Sequence, residues 1–234
     1  MMKLFAANPL GDLLHLFFPH NCMGCGNGID EIETLLCAEC SSQLPETAFF
    51  SHDNNPVEKI FYGRMKTEQA GSAFFFNKDS VIQHLITQLK YKNSRETGLY
   101  LGRLLGHKIK ECGRFENTEC IVPLPLNEVK HHTRGYNQSA LIAQGIAEIW
   151  PRDIFENAVM RKVFTETQTH KGRISRWQTM EDVFTVRDNK LLEGRHVLLV
   201  DDIITTGATL EACGLELLKV QGLALSIATV AYTL

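Results

Sequence analysis

The chain has 234 residues, 44% of them hydrophobic and 22% charged, with a formal net charge of −3. That balance fits a globular protein able to bury a core and excludes a disordered or fibrous chain. It provides no overall basic field for nucleic acid, although a local basic patch is compatible with any net charge.

Over residues 1–19, Leu10, Leu13, Leu14, Phe17 and Phe18 recur at helical spacing, which predicts an amphipathic N-terminal helix. Asn8, Asp12 and His15 interrupt the run and weaken any likeness to a signal peptide. No stretch reaches the roughly 20 apolar residues of a membrane span, so none is expected. Residues 20–45 are rich in Cys and Gly, and 41–57, with Pro45, Asp53, Asn54, Asn55 and Pro56, reads as a linker.

Strand and helix signals then alternate through a domain expected over 58–234. Short apolar runs at 60–62 and 73–76 suit strands. Asp79 or Ser80 caps a helix bearing Val81, Ile82, Leu85, Ile86 and Leu89 on one face. Ser94 starts a second, with Leu101, Leu104, Leu105 and Ile109. A buried strand at 120–122 is ended by Pro123 and Pro125. A helix over 139–150 stops at Pro151. A strand at 197–200, a helix over 209–220 with Gly222 beyond it, and a strand at 225–232 complete the order. Such alternation predicts an α/β fold, a mainly parallel sheet covered on both faces. Ligands of such sheets bind at the carboxyl ends of strands, hence just after Val122 and Val200.

The second of these places reads Asp201-Asp202-Ile203-Ile204-Thr205-Thr206-Gly207-Ala208-Thr209. A buried strand delivers two acids, and a short hydroxyl-rich turn with one Gly opens a helix. Unpaired amides at a helix start suit a phosphate, and Gly207 lets the backbone approach it. Thr205, Thr206 and Thr209 offer hydroxyl donors. Asp201 and Asp202 suit two vicinal ribose hydroxyls, whereas a phosphate alone would be repelled by them. Together they predict a 5-phosphoribosyl ligand. Neither the nucleotidase P-loop pattern nor a strand-following G-x-G-x-x-G is present.

Seven cysteines are present, four of them in two close pairs and Cys112, Cys120 and Cys213 scattered. An odd count in this arrangement suits a reducing compartment with one metal site, so a cytoplasmic location is expected. Cys22-x2-Cys25-x11-Cys37-x2-Cys40 has the spacing of a closed, structural zinc ribbon. Two disulfides are the alternative, and His20 lies near enough to be an outside candidate ligand.

The 201–209 run resembles the signature of type I phosphoribosyltransferases. The paired cysteines, Leu89-Lys90-Tyr91-Lys92, Val122-Pro123-Leu124-Pro125, Arg134-Gly135-Tyr136-Asn137-Gln138, and Arg161 with Thr165, Gln168 and Arg176 narrow the resemblance to the ComF family. That family joins a zinc ribbon to a phosphoribosyltransferase-like domain and is associated with competence. The resemblance implies phosphoribosyl pyrophosphate as ligand. Ile204, Thr205, Thr206, Gly207, Ala208 and Thr209 would hold the 5-phosphate, with Asp201 and Asp202 as catalytic and ribose-binding acids and Mg²⁺ on the pyrophosphate. It implies that Pro123, Leu124 and Pro125 hold pyrophosphate, although a plain strand-ending turn fits the same residues. Arg134, in a basic cluster with Lys130, His131 and His132, would neutralise it by paired hydrogen bonds. Asn137 is either part of that site or the N-cap of the next helix.

Arg161, Thr165, Gln168 and Arg176 would belong to a flexible loop or hairpin closing over the substrate. A phosphate track for single-stranded DNA with Trp177 as a stacking platform, or a merely solvated loop, fits them too. The family usually has Leu where Lys171 stands and Asn where Thr179 stands. No residues define a purine or pyrimidine pocket. Two functions are therefore carried forward. One is a phosphoribosyltransferase. The other is a non-catalytic phosphoribosyl- and DNA-binding factor in DNA uptake, whose ribbon contacts single-stranded DNA or a competence helicase.

Overall fold

The computed structural model describes residues 21–29, 34–162 and 183–233. It divides into two units, residues 1–44 and 45–234. The N-terminal helix expected over 1–19 and His20 lie outside the described residues.

In the small unit an antiparallel bridge joins Asn21 to Gly28. The Cys22 amide donates to Asn27 O at 2.7 Å and the Gly26 amide to Cys22 O at 2.8 Å, closing a tight turn in which Gly26 has φ +79°. A short helix, α1 (Ala38–Ser42), follows, with Cys37 at its N-cap.

The large unit begins with segments that the sequence suggested were linker. The Thr47 amide donates to Ala73 O at 3.0 Å, and a 3-10 turn (Phe49–Ser51) follows. Residues 60–62, expected as strand, form instead the last residues and the C-cap, Tyr62, of helix α2 (Pro56–Phe61). The physical reason is the cap. Asn55 Oδ1 accepts from the Val57 and Glu58 amides at 2.9 and 3.2 Å, and Pro56 occupies the first helical position, where no amide is needed.

The remaining elements include the other predicted strands and helices and add short ones at 128–134, 153–154, 159–161, 184–186 and 189–192. They are β1 (Ala70–Phe75), α3 (Val81–Tyr91), α4 (Arg95–Cys112), β2 (Cys120–Pro123), α5 (Glu128–Arg134), α6 (Gln138–Ile149) and β3 (Asp153–Ile154). Then come β4 (Val159–Arg161), β5 (Phe184–Val186), α7 (Asn189–Leu192), β6 (His196–Ile204), α8 (Ala208–Leu217) and β7 (Ala224–Tyr232). Ser80 caps α3 by accepting from the Gln83 amide at 3.2 Å. Ser94 makes no capping bond to α4, and its hydroxyl meets Thr97 Oγ1 at 2.7 Å.

Five strands form one sheet in the order β1-β7-β6-β2-β3, every neighbouring pair parallel. Val197, Leu198, Leu199, Val200, Ile227 and Ala228 are fully buried, as expected of a parallel sheet covered on both faces. β4 and β5 pair separately as an antiparallel ribbon.

The order fixes where a ligand can sit. From β2 the chain moves outward to β3, and from β6 it moves the opposite way to β7. Their following connections diverge, so the carboxyl ends of these two adjacent strands flank a crevice at the topological switch point. β6 also runs further than the sequence suggested. Asp201 lies opposite Thr229 and Ile204 opposite Tyr232 on β7, so the acids stand within the strand rather than in a turn after it. Pairing with β7 overrides the poor strand propensity of the two aspartates.

α6, which brings residues toward that crevice, is held by a close helix crossing. A Cβ on Gly102 would lie 2.3 Å from Ile142 O, and one on Gly145 would lie 2.2 Å from Leu99 O. These are backbone atoms that cannot yield locally, so α4 and α6 approach only because both positions lack side chains. Gly145→Val is expected to destabilise the fold by about 3 kcal/mol in chemical denaturation, through overpacking and backbone displacement. An unchanged midpoint would contradict this crossing.

Candidate functional site

The end of β6 places two carboxylates side by side in contrasting surroundings. Asp201 Oδ1 accepts from Ser139 Oγ, near the start of α6, at 2.9 Å and from the Asp202 amide at 2.8 Å. Asp202 is buried and its Oδ2 lies 3.0 Å from Lys90 Nζ, near the end of α3. Burial first, and the neighbouring Asp202 charge second, push Asp201 up to about 7. Hydrogen bonds from the Asp202 amide and Ser139, and the Lys90 charge, act in the opposite direction.

Beyond Ile204 the chain turns. Thr205, Thr206 and Thr209 are exposed, while Gly207 is buried with φ +74° at the N-cap of α8. A Cβ there would meet Ile60 Cγ2 at 2.5 Å, so both the backbone angle and the packing call for glycine. Arg64 Nη1 donates to Thr206 O at 3.0 Å, and its other arm pairs with Glu211, fixing the turn against α8. The first amides of α8 have no partner within their own helix, so the turn presents amides and hydroxyls together. This chemistry suits a phosphate beside a diol.

On β2, Pro123 pairs with Val200 of β6, and the Leu124 amide continues the ladder to Val200 O at 2.9 Å. Asn137 serves the cap reading directly, since its Oδ1 accepts from the Ser139 amide at 3.1 Å. Its Nδ2 also donates to Leu124 O at 3.0 Å, tying the Pro-Leu-Pro segment to the head of α6. Gln138 is buried, and its Nε2 has no hydrogen-bond partner among the described residues. Arg134 stacks over the Tyr91 ring at 5.6 Å, and the Tyr136 hydroxyl donates to Leu89 O.

A cavity of about 740 Å³ is lined by Pro125, His131, Asn137, Arg161 and Arg187 among others. Arg161 sits at the end of β4, over the Phe184 ring of β5 at 5.5 Å. β4 and β5 thus bracket the expected closing segment as a hairpin base. Thr165, Gln168, Arg176 and Trp177 lie outside the described residues.

The structure therefore gathers Asp201 to Thr209, Pro123, Leu124 and Asn137 at two adjacent strand ends. Arg134 and Arg161 fall in the cavities beside them. Reading the residues one by one missed the partners Lys90, Ser139 and Arg64. Only Lys90 carried a signal, a cation ending an amphipathic helix within Leu89-Lys90-Tyr91-Lys92.

In the small unit, Cys22, Cys25, Cys37 and Cys40 bring their Sγ atoms within 4.8 Å of one another, and no disulfide joins them. Cys25 and Cys37 sulfurs are 3.8 Å apart. A tetrahedron with metal–sulfur bonds of about 2.3 Å has edges of about 3.8 Å, so this spacing fits zinc. Burial raises the Cys22 thiol, but amide donors of Cys37, Cys25 and Gly24 outweigh it and bring it down to about 6. Burial and the neighbouring sulfurs raise Cys40, so it is the sulfur spacing that makes the cluster compatible with one zinc ion.

Comparison with known proteins agrees with this architecture. Residues 153–233 match the family described as phosphoribosyl transferase domain. Competence protein F of Haemophilus influenzae is 27% identical over 226 residues, covering 89% of this chain and 98% of that protein. DNA utilization protein YhgH of Escherichia coli K12 is 32% identical over 138 residues, 58% of this chain and 60% of that one. Competence protein ComFC of Bacillus subtilis is 31% identical over 109 residues, 47% of this chain and 42% of that one. Among solved structures, the glutamine phosphoribosylpyrophosphate amidotransferase from B. subtilis aligns with TM-score 0.43 and 16% identity, covering 61% of this chain and 30% of that one. Adenine phosphoribosyltransferase from Leishmania tarentolae aligns with TM-score 0.38 and 12% identity, covering 81% and 94%. These two likenesses are too weak to bear on function. The family match and the parallel sheet make this a type I phosphoribosyltransferase-like fold. No helix among the described residues is long and apolar enough to cross a membrane.

Two outcomes are expected. The purified protein should carry about one zinc ion per chain, and Cys25→Ser should lower that content. Metal content unchanged by the substitution would contradict the cluster. Asp201 holds its proton in the fold at pH values where the unfolded chain has lost it, so stability falls as pH rises from about 4 to 7. Asp201→Asn keeps an acceptor for Ser139 and should melt higher than the parent at pH 8, with no gain at pH 4. An equal gain at both pH values would contradict a raised Asp201.

Proposed function

Because this chain belongs to the ComF family, we propose that it binds phosphoribosyl pyrophosphate, or a related 5-phosphoribosyl ligand, and acts as a phosphoribosyltransferase. One observation carries the reading. Two carboxylates stand near the end of a buried strand at the point where strand connections diverge, and a glycine-opened helix turn follows that strand. A ligand with a diol next to a phosphate satisfies both halves of that arrangement.

In this reading, Ile204 to Thr209 take the 5-phosphate through α8 amides and threonine hydroxyls. Asp201 and Asp202 accept the ribose hydroxyls and stabilise positive charge developing at C1. Lys90 pairs with Asp202 beside Asp201 and holds its carboxylate in place. Pro123, Leu124 and Pro125, held by Asn137, take pyrophosphate together with Arg134. Mg²⁺, when bound with the ligand, would supply neutralisation of the pyrophosphate charge. Arg161, Thr165, Gln168 and Arg176 belong to the segment that closes over the site and excludes water. The zinc ribbon is structural, and the protein works in the cytoplasm.

A second reading keeps the ligand and drops the chemistry. Both acids already have partners within the protein, Ser139 and Lys90, which suits a site that holds a ligand without turning it over. The printed names of the relatives, competence and DNA utilization proteins, favour a role in DNA uptake. The ribbon would then contact single-stranded DNA or a helicase.

Calorimetry with phosphoribosyl pyrophosphate and Mg²⁺ tests the shared part. Asp201→Ala combined with Asp202→Ala should weaken binding about tenfold or more, through lost charged hydrogen bonds. Affinity should rise as pH passes upward through about 7, where Asp201 ionises. Binding untouched by the double substitution would contradict the assignment. Pyrophosphate release in the presence of nucleobases or amines separates the two readings. Release on any acceptor supports the enzyme, and binding without release supports the accessory factor.

A further inference from the structure

The end of α3, the exposed side of α5 and residues 134–136 enclose a second cavity, of about 620 Å³. Its lining includes Lys90, Lys130, His132 and Arg134, and no carboxylate. In a chain of net charge −3 that concentration of cations is local. Among the described residues neither Lys130 nor Arg134 is paired with an acid, whereas Lys90 reaches Asp202 at 3.0 Å. The cleft is therefore a ready site for an anion.

It also presents an aromatic surface. Tyr91 lines the cleft and is 75% exposed, the highest value among the large apolar and aromatic side chains left at the described surface. The Arg134 guanidinium covers its ring at 5.6 Å. An exposed ring costs hydration, and an arginine stacked on it fixes the ring's plane while keeping donors free for a phosphate. Val129, 73% exposed, adds an apolar wall. Planar ring, apolar wall and unpaired cations converge on one cavity instead of repeating along a track. That convergence matches one base with one phosphate, and the volume falls within the range of small-ligand pockets.

We propose that this cleft binds a nucleoside monophosphate, its base stacked on Tyr91 and its phosphate held by Lys130 and Arg134, as a site separate from the turn after β6. This goes beyond the phosphoribosyl reading and stands if that reading fails. Lys90 borders both places and Arg134 is also assigned to pyrophosphate, so the two sites have these two cations in common.

The test titrates the full chain with adenosine 5′-monophosphate, adenosine and inorganic phosphate by calorimetry. The monophosphate should bind at least about tenfold more tightly than either part, since stacking and charge act together. Tyr91→Ala should weaken it by about tenfold. Lys130→Gln should weaken it less and reduce its salt dependence. Both side chains are exposed, so thermal melts of the variants should match the parent. Saturating ribose 5-phosphate, which addresses the turn after β6 and carries no pyrophosphate for Arg134, should leave the monophosphate bound. The proposal is overturned by no binding of the monophosphate, by binding indifferent to Tyr91→Ala, or by phosphate alone binding as well. One-for-one displacement by ribose 5-phosphate overturns it too, placing the nucleotide on the turn after β6. Tyr91-dependent capture of a short unpaired oligonucleotide, without capture of the monophosphate, overturns the single-nucleotide assignment.

Discussion

Two ionisable carboxylates on consecutive residues at the end of a buried strand repel one another and lose solvation together. The fold accommodates them unequally. Asp202 receives a lysine from α3, and Asp201 receives a hydroxyl from α6 and a backbone amide. Neither α3 nor α6 could be shifted without exposing that repulsion. The acids therefore constrain the helices around them as much as the sheet constrains the acids. Such an arrangement opposes stability and persists where a ligand makes use of it.

The sheet order gives this pair its setting. Only between β2 and β6 do successive connections leave in opposite directions, and the acids, the Gly207 turn and the Pro-Leu-Pro segment all converge there. Asn137 links the two strand ends through α6, capping the helix and holding Leu124 with the same amide group. The glycine-lined crossing of α4 and α6 sets how deeply α6 can sit, and through Ser139 how near it comes to Asp201.

Much of this was legible in the residues. The central strands of a parallel sheet are buried on both faces, so Val197 to Val200 stands out as an unbroken apolar run and 225–232 as one broken by Ser226 and Thr229 alone. The cysteine spacing and the Thr-Thr-Gly turn carry their chemistry in the local order of residue types. The rest depended on distant partners. Three residues at 60–62 are too few to separate a strand period from a helical one, and the Asn55-Pro56 start decided it. The strand character of Asp201 to Ile204 comes from pairing with β7, which no local pattern reports. The pairing of Lys90 with Asp202 joins residues far apart in the chain, and the crossing at Gly102 and Gly145 joins two helices that look ordinary singly.

The proposed function requires a sugar phosphate at the turn where β6 passes into α8. Amide chemical shifts, followed while ribose 5-phosphate is added to isotope-labelled protein, report that location residue by residue. The largest changes should fall on the amides of Thr206 to Leu210, with Asp201 and Asp202 moving in step. Saturation with those amides still, and the shifts gathered elsewhere, would contradict it.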